Sequence, residues 1–70
     1  MSKTRTVLKV TDPGFHFTVV KTEGTAHNPY AIYRHYPTFE NGYPKWHKEL
    51  QARYTDLRSC LFFLAANRND

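Results

Sequence analysis

LQARYTDLRSCLFFLAA, residues 50–66, ends in the chain's only dense apolar run, and any core must be built against it. From Leu57 onward the apolar residues Leu57, Cys60, Leu61 and Leu64 follow the i, i+3, i+4, i+7 spacing of one helix face. That spacing turns these four inward, sets Phe63 at the flank of the helix and carries Phe62 round to the outside. Thr55 or Asp56 can cap the N-terminus, and Asp56 also puts negative charge at the positive end of the helix dipole. Asn67 and Asn69 are candidate terminators, since Asn tolerates the left-handed conformation that ends many helices. Arg68 suits the negative end of the dipole.

The residues before this helix admit two readings. Leu50, Ala52 and Tyr54 alternate with Gln51 and Arg53, as in a half-buried strand that feeds the helix. Leu50, Tyr54, Leu57, Leu61 and Leu64 also repeat at spacings of four and three, which would make one long helix from about residue 45. The Tyr54-Thr55-Asp56 step has the chemistry of a cap, so the strand-then-helix reading is preferred.

Seventy residues make one small domain, residues 1–70. A chain of this size buries only about 60% of its unfolded surface, and such a core supplies roughly 3–5 kcal/mol. The single cysteine, Cys60, excludes an intramolecular disulfide and fits a reducing, cytoplasmic setting. The N-terminal residues do not resemble a secretory signal, and no apolar run approaches the length of a membrane span. No membrane partner is therefore expected. Ten Lys and Arg against six Asp and Glu leave a net charge of +4, which admits a polyanionic partner. Five Tyr, five Phe and one Trp are more aromatic mass than one thin core can easily bury.

Along the chain, Thr4 to Val10 reads as a first strand with apolar residues on both faces. Asp12-Pro13-Gly14 is a turn, with Pro presetting the first corner and Gly taking the positive φ of the second. Phe15, Phe17 and Val19 then alternate with His16, Thr18 and Val20 in a second strand. Residues 22–29 form a polar loop in which Gly24 has no phosphate-binding companions. Tyr30 to Tyr36 is a third strand that Pro37 closes. Asn41-Gly42 is a turn signal, but Pro37 and Pro44 argue against a clean hairpin around it. The expected fold class is α+β: a three- to four-stranded antiparallel β-meander with one C-terminal α-helix packed on one face. The alternative is three strands followed by the long helix.

With Phe15, Phe17 and Val19 against the helix, alternation leaves an open face carrying His16, Thr18, Tyr33, His35 and, from the fourth strand, His47 and Arg53. Aromatic and basic groups on an open sheet stack unpaired bases and contact phosphates. The candidate nucleic-acid-binding residues are Lys9, His16, Lys21, Tyr33, Arg34, His35 and Arg53. The bland account of the same residues is that Tyr and Thr favour strands and that the cations are simply solvated. His16, His27, His35 and His47 lack the close spacing of zinc ligands, so no metal or other cofactor is expected. Cys60 falls at the centre of the core face, where a thiol is inert, and no carboxylate pair is set for acid–base work. A non-catalytic binding module follows, with nucleic acid bound through the open sheet face as the preferred reading. The rival is a protein-interaction or homodimeric domain that uses Trp46, Phe62 and Phe63.

Overall fold

The computed structural model describes residues 3–24 and 27–68. Four strands, β1 (Thr4–Asp12), β2 (Phe15–Thr22), β3 (Tyr30–Glu40) and β4 (Tyr43–Tyr54), precede one helix, α1 (Leu57–Asn67). The strands form a single antiparallel sheet in the order β1-β2-β3-β4. The α+β meander with a C-terminal helix is thus the fold, and residues 43–54 are strand rather than the start of a long helix. The molecule is a slab 43 × 33 × 15 Å, thin because α1 covers only part of one side.

Each turn has a local cause. Pro13-Gly14 closes β1 onto β2 with Asp12 opposite Phe15, and Gly14 takes φ +74°. Asn41-Gly42 closes β3 onto β4 with Glu40 opposite Tyr43, and both turn residues have positive φ, 52° and 82°. That is the two-residue type I′ geometry whose twist matches the strands it joins. Contrary to the sequence-based expectation, the ladder continues unbroken past Pro37 and Pro44, which sit opposite Trp46 and Phe39. The pair that closes a two-residue hairpin exchanges hydrogen bonds, and pair types then alternate along the ladder. Counting from Glu40–Tyr43, both prolines occupy positions whose nitrogens point away from the partner strand. β2 pairs with β3 only as far as Arg34, and β4 is an edge, so neither missing N–H breaks a hydrogen bond. Residues 35–40 and 43–48 consequently project as a two-stranded arm.

The core lies between the sheet and α1. Val19, Ile32 and Cys60 are 0% exposed, joined by Phe17 and Leu64. Leu57, Tyr30, Tyr54 and Phe63 pack around them. Two helix positions depart from simple periodicity: Phe63 is taken into this cluster, 6.1 Å from the Tyr54 ring, while Leu61 is 49% exposed. The short helix meets the sheet on the side nearest Tyr54, which favours position 63 over position 61. Val7 and Leu8 both reach the core because a bulge between Thr6 and Leu8 breaks the alternation of β1. The expectation of apolar residues on both faces of β1 is corrected accordingly.

Asp56 is the N-cap, its carboxylate accepting from the Ser59 amide at 2.8 Å. That hydrogen bond, above all, holds the Asp56 carboxyl below its ordinary pKa. At the other end there is no left-handed residue: Arg68 follows the helix in extended conformation, φ −81°. The Asn67 side chain closes the last turn instead, its amide donating to the Phe63 carbonyl at 2.8 Å. Asn69 lies outside the described residues. Arg68 forms an ion pair with Asp12 and lies over the Phe15 ring, tying the helix end to the first turn. No helix among the described residues is long and apolar enough to cross a membrane.

Candidate nucleic-acid interface

The sheet face away from α1 is set by pairing register. From β1 it receives Thr4, Thr6, Lys9 and Thr11, and from β2 His16, Thr18, Val20 and Thr22. From β3 it receives Ala31, Tyr33, His35, Pro37 and Phe39. The β4 contribution depends on one residue. Ile32 pairs with Ala52 but Tyr33 pairs with Leu50, so Gln51 is an extra residue that reverses the alternation. Arg53 lies on the open face, as expected, but beyond the bulge the open face carries Leu50, Lys48, Trp46 and Pro44. His47, expected there, is on the helix side, stacked on Tyr36 at 5.3 Å and hydrogen-bonded to Thr38 Oγ1 at 2.7 Å.

The candidate residues therefore divide. Lys9, His16, Tyr33, His35 and Arg53 share the open face. Lys21 and Arg34 do not: each projects on the helix side and lies over a neighbouring ring, Tyr30 at 5.6 Å and Tyr36 at 5.0 Å respectively. The expected partner-interface trio separates as well. Phe62 is on the outside of α1, with the Arg58 guanidinium 5.8 Å from its ring, and Phe63 is in the core. Trp46 is on the opposite side of the sheet, 55% exposed. Sequence reasoning missed Lys48, Trp46 and Phe39 as members of the open face. Strict alternation through β4 assigns Lys48 and Trp46 to the other side, and Pro37 hides the continuation of β3 to Phe39.

The groups on this face interlock. His35 Nε2 and Thr18 Oγ1 are 2.7 Å apart, joining β3 to β2. The Lys48 ammonium lies 5.0 Å from the Tyr33 ring centre. Trp46 reaches across β3 to meet His16, ring centres 5.1 Å apart and nearly edge-to-face at 70°. Burial, then the charges of Lys48, His16 and Lys9, hold the His35 imidazole below its ordinary pKa.

Two hollows mark this face. One of about 380 Å³ is bounded by Trp46, His16 and Lys9, and the other of about 440 Å³ by Tyr33, Lys48 and Arg53. They share Thr6, Thr18 and His35 as a common floor.

Charge is distributed unequally between the two sides. Lys9, Lys48 and Arg53 are on the open face, and no carboxylate among the described residues joins them. Asp12 pairs with Arg68, Glu40 and Glu49 fall on the helix side by register, Asp56 caps α1, and Glu23 lies in the β2–β3 connection. Cys60 is buried and its thiol pKa is pushed up, first by desolvation and then by Asp56, which leaves it protonated and unreactive. Among the described residues no three His, Cys, Asp or Glu side chains converge as a metal site. The chain matches no family model, no curated protein and no solved structure, so the face is interpreted from its own residues.

Proposed function

We propose that this chain is a non-catalytic nucleic-acid-binding module whose open sheet face is the binding surface. One observation carries the reading. Three cations, two imidazoles and the rings of Tyr33, Trp46 and Phe39 share one face with no described carboxylate among them. Cations there would meet phosphates and release counterions, while the rings would take up bases. A reducing, cytoplasmic setting belongs to the same proposal and suits the lone buried thiol.

The test is a salt-dependent titration with fluorescently labelled oligonucleotides. Binding should weaken with a log–log salt slope of about −2 if three phosphates are neutralised on a single strand. The triple variant Lys9→Ala/Lys48→Ala/Arg53→Ala should lose at least about tenfold in affinity. Lys21→Ala/Arg34→Ala, on the helix side, should bind as wild type. Equal losses in both variants would reduce the interaction to net charge, and no binding at low salt would remove the proposal.

A second reading rests on the outer face of α1, where Leu61 and Phe62, 49% and 64% exposed, are adjacent in sequence. Adjacent apolar groups left uncovered favour self-association or a protein partner. Sedimentation of wild type and Phe62→Ser decides it: a monomer at high concentration excludes the homodimer, and a dimer that dissociates in the variant supports it.

A further inference from the structure

Building on the binding face proposed above, we infer that its ligand is single-stranded nucleic acid, with one base lodged against Trp46 and the backbone running toward Lys48 and Arg53. The two hollows differ in chemistry. The first has ring walls, Trp46 and His16, with Lys9 at its margin. Its volume of about 380 Å³ is in the range of pockets that hold small ring ligands, about 300–1,000 Å³. Trp46 meets His16 at a steep angle and remains 55% exposed as a residue, so ring surface is left open beside the hollow. A planar base can stack there, and every base has a face to present. The second hollow has Lys48 and Arg53 on its rim and threonine hydroxyls along its floor, a lining for phosphate and sugar oxygens. Because the hollows share Thr6, Thr18 and His35, one strand can cross both without leaving the surface.

Duplex is the poorer fit. A two-stranded ribbon can enter the major groove, but it reads base edges with hydrogen-bonding side chains. Beyond His35 and Lys48 at its base, the arm formed by residues 35–40 and 43–48 presents Pro37, Phe39, Pro44 and Trp46 on this face, which supply apolar surface and one indole N–H. Such groups stack on bases that are already unpaired.

Trp46 is the only tryptophan, so its emission reports the first hollow directly. The probes are oligodeoxythymidine, oligouridine and a mixed-sequence duplex of equal length, titrated at low and at physiological salt. Single strands should quench Trp46 saturably, and the duplex should bind at least about tenfold more weakly. With labelled oligonucleotide read by anisotropy, Trp46→Ala should lose roughly five- to a hundredfold in single-strand affinity, the range of one base–aromatic stack. Trp46→Phe should recover most of it, and circular dichroism shows whether each variant is folded. Should Trp46→Ala fail to fold, Trp46→Leu, which keeps bulk but removes the ring, provides the same comparison. Duplex bound as tightly as single strands, or a folded Trp46→Ala with unchanged affinity, overturns this inference while leaving the binding face in place. Absence of binding by every probe at low salt overturns the binding face itself.

Discussion

The two sides of this one sheet are built from the same strands and solve opposite problems. On the helix side, Phe17, Val19 and Ile32 meet Cys60 and Leu64, Asp12 pairs with Arg68, and Glu49 stands opposite Arg34 in the strand register. On the open side, Lys9, Lys48 and Arg53 have no carboxylate among them in the described residues, and Trp46 and Phe39 are 55% and 70% exposed. The lesson is that the first side builds the core and carries carboxylates beside its cations, whereas among the described residues the second carries cations alone. A surface that keeps rings and like charges uncovered costs some stability, and that cost is understandable when a ligand covers them.

The comparison can be broken most severely from the helix side. Ile32 is fully buried at the centre of the sheet, and Ile32→Ala should cost about 2–5 kcal/mol. That is comparable to the whole stability of so small a domain, so the variant should be largely unfolded by circular dichroism at ordinary temperature. If it melts like wild type, the core is not where it has been placed. A smaller effect tests the arm that carries Trp46. Lys45 is paired with Thr38 in the hydrogen-bonded alternation, so Lys45→Pro should remove a ladder bond and destabilise by about 1 kcal/mol or more. Pro44→Thr should be nearly neutral in chemical denaturation, and the reverse ranking would refute the alternation deduced for the arm.

The smallest effect concerns His35 and sharpens the contrast through pH. Burial and the facing charges of Lys48, His16 and Lys9 hold its pKa below the ordinary histidine value. The unfolded chain therefore binds a proton there before the folded chain does. Stability from this group is complete above pH ~6.5 and declines as pH falls through that value toward the lower folded pKa. Melting temperature against pH should show this shallow loss, and His35→Gln should flatten it. Asp56, whose carboxyl pKa is lowered by the capping bond, contributes in a separate window near and below pH ~4, so the two losses can be told apart. Polyanion should act in the opposite sense, strengthening binding as His35 becomes charged.

Much of the candidate site was legible. His16, Tyr33, His35 and Arg53 follow from alternation once Phe15, Phe17 and Val19 are turned toward the helix, and Lys9, expected only at the margin, joins them on the face. What alternation could not supply is the reversal at Gln51. A bulge is a property of a pair of strands, in which two residues oppose one, and it leaves no mark in the composition of either strand. Pro37 and Pro44 misled for a related reason. A proline ends a strand only if its missing N–H was needed, and that depends on which neighbour lies on which side.

The chain's local chemistry determined the order of elements, the turns at Pro13-Gly14 and Asn41-Gly42, the Asp56 cap, and the inward set Phe17, Val19, Ile32, Cys60 and Leu64. These follow from dihedral preferences and from periodicities that operate over a few residues. Tertiary structure decided which side of the sheet receives Lys48, Trp46 and His47, and whether Leu61 or Phe63 completes the core. Those outcomes depend on register between strands distant in sequence, where one additional residue moves every side chain beyond it to the other face.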